Sequence, residues 1–325
     1  MHALISGATG FVGSHLAETL HKQGFKVSCL VRPTSDRKWI KDKPFYRLEV
    51  DFYSVDHLAR AMKDVTHIFH CAGVISSHDD REYFRGNWGV THNMMLAAQK
   101  HSGQIERFVY VSSLAAVGPA KNGAPVDENT PCAPVSEYGK TKLLGENEVL
   151  AAKDRLPVTV IRPPIVYGPR DSGLQVVYKI VNKGLVPRVG AKRLLSLVSV
   201  QDLCEGIARA AIDKGAAGQV YFVTDERIFS FDFLVQVIAY ALKKKVKWVN
   251  IHPRLAGGIM GGLASLFSAL GIKSMITKDK AAEAVNANWI CTGKKFTNQF
   301  GMASKVKMED GMIQTVKWYL EQKLI

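Results

Sequence analysis

The strand-like stretch HALIS runs straight into SGATGFVGSHL, and that junction leaves this chain of 325 residues few folds to choose from. Glycines at 7, 10 and 13 have the spacing of a tight turn that opens into a helix beside a phosphate group. Gly7 permits the turn, Gly10 allows close approach of a pyrophosphate, and Gly13 lets the helix seat against the sheet. The backbone N–H groups of Thr9, Gly10, Phe11 and Val12 are then expected to face the anion, with the helix dipole adding favourable potential. The junction predicts a dinucleotide site.

The residues that follow agree with that start. Short apolar runs at 25–31, 46–50, 66–72, 107–113 and 157–162 alternate with segments whose apolar residues recur every three or four positions. This alternation predicts an α/β fold, a doubly wound parallel sheet (a Rossmann fold) with helices on both faces. Beyond residue 165 the pattern loosens into a loop-rich stretch, after which 198–212 reads as a helix and 219–225 as a strand returning to the sheet. The expected division is a dinucleotide-binding domain from 1–165 and about 196–225, with a smaller substrate-binding lobe from about 166–195 and 226–325. A composition of 47% apolar residues suffices for a substantial core.

The end of the second strand selects the nucleotide. An acidic side chain there would accept hydrogen bonds from an adenosine ribose 2′-hydroxyl, but the sequence places Arg32 in LVRPTSDRK. An arginine near Thr34, Ser35, Arg37 and Lys38 suits a 2′-phosphate, so the reading favours NADP over NAD. Asp36 keeps NAD open as the alternative.

SEYGKTK at 136–142 places the phenol of Tyr138 and the ammonium of Lys142 one helical turn apart. An isolated phenol titrates near pH ~10 and is a poor base at neutral pH. A lysine on the same helical face, joined by an oxidised nicotinamide ring, would favour phenolate and lower that value by roughly one to three units. Ser113, at the end of the fifth predicted strand, faces the crevice where such folds bind ligands and can hydrogen-bond the same substrate oxygen.

Taken in order, SGATGFVG, SSLAAVGP at 112–119, YGKTK at 138–142 and RPPIVYGP at 162–169 resemble the extended short-chain dehydrogenase/reductase family. The similarity is nearest to the branch of 3β-hydroxysteroid dehydrogenases, dihydroflavonol reductases and NAD(P)-dependent epimerase/dehydratases. It implies Ser113, Tyr138 and Lys142 as the catalytic set. For the cofactor it implies Asp51 and Phe52 at adenine, Ala72 and Gly73 along the ribose, and Pro164 and Ile165 beside the nicotinamide. Asn87 matches the family's NVxGTxN pattern, read here as NWGVTHN, in which Val90 stands for the glycine and Gly89 lies one place earlier. Tyr138 and Lys142 count among the cofactor contacts as well, and a homodimer is implied.

Other classes are set aside on composition. Five scattered cysteines without a CxxC spacing suggest neither a disulfide framework nor a zinc knuckle, and fit a cytoplasmic protein. The net charge of +14 lacks a basic stripe with interleaved aromatics, so no nucleic acid is expected. In HIFHC, strand alternation puts His67 and His70 on opposite faces, which argues against a metal. The uncharged run Leu255 to Ile272 reads as a buried or pocket-lining helix, with a peripheral membrane contact or a span as alternatives. The leading expectation is hydride transfer between NADP and a secondary alcohol or ketone of an apolar small molecule. An epimerase or dehydratase of nucleotide-linked sugars is the alternative, for which Arg170, Arg188 and Arg193 could meet a diphosphate. A non-catalytic dinucleotide-binding subunit is the third.

Overall fold

The structure is a computed structural model that describes residues 1–121, 123–189, 193–251, 283 and 288–325. The run 255–272 lies outside the described residues, and so does the reading made of it. Among the described residues no helix is long and apolar enough to cross a membrane.

The first half alternates as its sequence requires: β1 (His2–Ser6), α1 (Phe11–Lys22), β2 (Lys26–Val31), β3 (Tyr46–Glu49), α2 (Val55–Ala61), β4 (His67–His70), α3 (Asp80–Tyr83), α4 (Val90–Gln99), β5 (Arg107–Val111), α5 (Glu137–Leu150) and β6 (Val158–Arg162). A π-helical turn, Phe84–Gly89, joins α3 to α4. The second half contributes β7 (Ile165–Tyr167), α6 (Gln175–Asn182), β8 (Leu185–Val189), β9 (Leu194–Ser199), α7 (Val200–Ile212), β10 (Gln219–Phe222), β11 (Ile228–Ser230), α8 (Phe231–Ala241), β12 (Lys247–Ile251), β13 (Asn288–Trp289), α9 (Lys294–Phe300) and α10 (Met308–Glu321).

Seven strands form a parallel sheet in the order β10-β6-β5-β4-β1-β2-β3. Chain direction across the sheet reverses between β1 and β4, and the crevice at their carboxyl ends is where such sheets bind ligands. Leu4, Ile68 and Phe108 pack toward one helical layer, and Ile5, Phe69 and Val109 toward the other, so the buried strands are apolar on both faces. Phe296 and Phe300 of α9 also pack into the layer that holds α1 and α7.

The stretch after residue 165, expected to be loop-rich, carries β7, α6 and β8. Its apolar side chains face a second core: Tyr178 and Val181 of α6 and Val186 of β8 pack against α8 and α10. The order there comes from tertiary burial of short elements, of eight residues or fewer, separated by turns.

Candidate active site

The glycine junction folds as its spacing predicts. Gly7 has φ +74, and a Cβ there would lie 2.7 Å from the backbone nitrogen of Ala72 at the end of β4. A Cβ on Gly13 would lie 2.2 Å from the Gly7 carbonyl oxygen, so α1 starts nearer to β1 than any side chain allows. Gly10 is the N-cap of α1, with no side-chain cap and no acidic residue in the first turn. This leaves an electropositive helix end that suits a pyrophosphate. One detail departs from expectation: the Gly10 N–H is bonded to the Gly7 carbonyl at 3.0 Å, which removes it from the donors offered to an anion. Gly13→Ala should force α1 off the sheet. The expected result is roughly tenfold or greater loss of nicotinamide dinucleotide affinity in a fluorescence titration, from a clash of about 1–3 kcal/mol; unchanged affinity would contradict the packing role.

Arg32 is exposed at the end of β2, where its backbone N–H donates to the Ser35 hydroxyl at 3.0 Å. Arg37 is drawn to Glu49 at 2.7 Å, and the Asp36 carboxylate accepts the Lys38 N–H at 3.0 Å. Arg32 makes no ion pair among the described residues. Asp51 follows β3, exposed, with one oxygen accepting the Tyr53 N–H at 2.9 Å. Phe52 is buried in the core, and its carbonyl accepts from Asn93 at 3.1 Å.

Ala72 and Gly73 follow β4 after one residue, Cys71. The Ala72 N–H donates to the Ser6 hydroxyl at 3.3 Å, and Ser6 pairs with Nδ1 of the fully buried His70 at 2.6 Å. The other His70 nitrogen meets Thr91 at 2.9 Å, and Thr91 donates to the Asn87 carbonyl at 2.6 Å. Burial pushes His70 down to about 3, so the ring is neutral. His67 turns to the opposite face, edge-on to Phe25, as alternation predicts.

Asn87 sits in the π-helical turn, a local geometry that recurs at functional sites. Its oxygen accepts the Val74 N–H at 2.7 Å, while its amide donates to the Val74 carbonyl at 3.1 Å and to the Thr141 hydroxyl at 2.9 Å. All its side-chain hydrogens are thereby used within the protein, and it ties the segment after β4 to the α5 helix. The preceding turn is ordered too: Asp79 caps α3 by accepting the Arg81 N–H at 3.0 Å.

Ser136 caps α5 through the Gly139 N–H at 3.0 Å, and Gly139 lets the helix approach so closely that a Cβ would meet the Ala115 carbonyl at 2.3 Å. That approach brings Tyr138 toward Ser113, whose hydroxyl draws the phenol's pKa down and accepts the Ala115 N–H at 3.1 Å. Lys142 is buried; its Nζ donates to the Val111 carbonyl at 2.6 Å and lies 4.2 Å from the centre of the Tyr110 ring. Leu114 donates its N–H to the Pro163 carbonyl at 2.8 Å, which sets Pro164 and Ile165 beside Ser113. Ser113, Tyr138, Lys142, Gly73 and Asn87 therefore converge at the crevice end of β4, β5 and β6.

The electrostatics differ from the sequence expectation in one respect. Burial pushes Tyr138 up to about 12 against the pull of the Ser113 hydroxyl, and pushes Lys142 down to about 8. The lysine ammonium alone does not lower the phenol; its Nζ is held by the Val111 carbonyl and the Tyr110 face. Sequence reasoning also passed over Glu146, Arg162 and Ser112, whose side chains form a buried cluster beneath Lys142. Its only signal was a carboxylate and a guanidinium placed in segments that read as buried.

Comparison with known proteins follows the same lines. Residues 3–223 match the NAD dependent epimerase/dehydratase family. UDP-glucose 4-epimerase of Vibrio cholerae is 31% identical, over 74% of this chain and 76% of its own length. Sterol demethylase protein B of Methylococcus capsulatus is 25% identical over the full length of both chains. A crystal structure of gox2253 superposes with a TM-score of 0.84 at 27% identity, covering 99% of each chain.

Proposed function

The chain belongs to the NAD dependent epimerase/dehydratase family, as a nicotinamide-dependent enzyme of the extended short-chain dehydrogenase/reductase type, and from that premise we propose that it reduces the ketone of an apolar small molecule, or oxidises the matching secondary alcohol, with Tyr138 as proton donor or acceptor. The observation that carries the reading is the close approach of the first turn of α5 to the end of β5, which sets Tyr138 beside Ser113 with Lys142 one turn on and anchored to the Val111 carbonyl at 2.6 Å. The bound nicotinamide would supply or accept the hydride. Ser113 orients the substrate oxygen, and Tyr138, protonated at neutral pH by its raised value, is ready to give that oxygen a proton. The reductive direction is thus favoured by the burial of the phenol. In oxidation, the positive ring of the oxidised cofactor has to bring the phenol down.

An apolar substrate is supported by the full-length similarity to a sterol demethylase protein, and by the loss of two arginines from the pool that could hold a diphosphate. Arg170 binds Glu18 at 2.9 Å and the Ser14 hydroxyl at 3.1 Å, and Arg188 binds Asp232 at 2.7 Å. The epimerase reading keeps two supports, the similarity to the Vibrio enzyme and the third arginine, Arg193. Incubation with NADPH and a panel of hydrophobic ketones decides between them: net NADPH consumption is expected. Cofactor retained through purification without net turnover would replace the proposal with the epimerase.

NADP is the proposed cofactor, held at its 2′-phosphate by Arg32. Arg32→Ala should weaken NADPH binding by roughly tenfold or more, the loss of a charge-assisted bond, while NADH binding stays as it was. Equal losses for both would remove the assignment. A homodimer and a cytoplasmic location complete the reading. For the dimer, Phe84, Leu96 and Leu144 are 47%, 39% and 39% exposed on the α3–α5 side, and Trp88 stacks between Phe84 and His92. Light scattering on the purified protein should return twice the chain mass of 35.8 kDa.

A further inference from the structure

Glu146 lies one helical turn beyond Lys142 on α5, fully buried, and joins three segments that each carry part of the site. Its carboxylate accepts from Nε of Arg162 at 3.0 Å and from Nη2 at 2.6 Å. Arg162 ends β6, two residues before Pro164. The same carboxylate accepts from the hydroxyl of Ser112, the chain neighbour of Ser113. An ion pair taken this far from water adds little to stability, because desolvating two charges offsets most of their attraction, and an apolar pair of similar volume would pack as well. An apolar pair could neither fix the direction of Ser112 nor set a negative charge one turn from a buried ammonium.

Building on the proposed roles of Tyr138 and Lys142, we infer that Glu146 is a positioning residue for proton transfer: it orients the β5 end that carries Ser113, through the Ser112 hydroxyl, and holds Lys142 in its charged form. The groups around the lysine support this. From β4 and the residue after it, His70 and Cys71 face it, and both are uncharged at neutral pH, since burial pushes the imidazole down to about 3 and the thiol up to about 12. From β5 it meets the Tyr110 ring and the Val111 carbonyl, neither of them charged. Burial pulls Lys142 down, and Glu146 is the carboxylate that pulls it back.

The test is the double substitution Glu146→Leu/Arg162→Met, which removes both charges and avoids an orphaned partner. Lysine labelled with 13C at the ε position, with the Lys142 signal assigned through Lys142→Arg, reports the titration without cofactor or substrate. The wild-type midpoint is expected near 8, and the double variant's lower by roughly half a unit or more. In NADPH assays with the ketone that gives the highest wild-type rate, kcat should fall about fivefold or more with the NADPH Kd unchanged, and the alkaline limb should move to lower pH. Ser112→Ala keeps the ion pair, severs only the tie to β5, and should lower kcat about threefold with the lysine titration in place. If the double variant does not fold, Ser112→Ala alone decides. Wild-type kcat in each variant that folds, with an unmoved titration in the double variant, overturns the inference. Tyr138→Phe in the same assay keeps the two questions apart: an active Tyr138→Phe sinks the proposed function, whereas an inactive one beside wild-type Glu146 and Ser112 variants sinks this inference alone.

Discussion

Tyr138→Phe should lower kcat for NADPH-dependent ketone reduction by about a thousandfold, within the range that positioned acid–base groups contribute, and leave NADPH affinity within about twofold of wild type. The asymmetry follows from the structure. The phenol lies toward Ser113 at the crevice, and the pyrophosphate-binding end of α1 is built from other residues. Removing the hydroxyl takes away the proton donor and leaves a ring of nearly the same volume beside Tyr83, at 6.5 Å between centroids. Lys142→Met tests the same chemistry from the other side. Rates should fall by about a hundredfold, and the steepest loss should come in the oxidative direction, where a phenolate has to form. Full activity in Tyr138→Phe would show that the proton comes from elsewhere.

How much of this was legible in the sequence depended on how far along the chain each interaction reaches. The glycine junction and the Tyr138/Lys142 spacing are local: each needs only a strand end or one helical turn, so reading the sequence placed them correctly in the fold. His67 and His70 fall on opposite faces, as a period of two demands, yet the partners of His70 come from β1 and α4, far away in sequence. Asn87 illustrates a different limit. Its π-helical turn is one residue wider than an α-helical turn, and nothing in NWGVTHN distinguishes the two, so its bonds to Val74 and Thr141 emerge only in three dimensions. Glu146 and Arg162 lie on different elements, and their meeting depends on α5 packing over the β5–β6 edge. The second lobe was the least legible, because its core is drawn from β7, α6, β8, α8 and α10, which lie far apart in sequence and meet only in the fold.

The neutral His70 carries a stability consequence that a second buried group conceals. His70 stands at about 3 in the folded protein against 6.5 when exposed, so it contributes stability above pH 6.5 that is lost as pH falls toward 3. Asp171 is also buried, with its carboxylate accepting the N–H groups of Gly173 and Leu174, and burial raises it from 3.8 to about 7. Its sign is opposite: the contribution is present below pH 3.8 and is lost as pH rises through 7. Between pH 7 and 4.5 the histidine costs about 3 kcal/mol and the aspartate returns about 3 kcal/mol, at 1.36 kcal/mol per unit. The wild-type unfolding free energy should therefore be nearly flat across that window as far as these two groups determine it. Asp171→Asn unmasks the histidine, and urea unfolding of that variant should give a free energy about 3 kcal/mol lower at pH 4.5 than at pH 7, relative to wild type. His70→Asn does the reverse, becoming relatively more stable on acidification by a similar amount. A flat pH profile for Asp171→Asn would mean that the Ser6–His70–Thr91 chain holds a charged ring after all. The brace between the nucleotide loop and Asn87 would then have to be reconsidered from its hydrogen bonds upward.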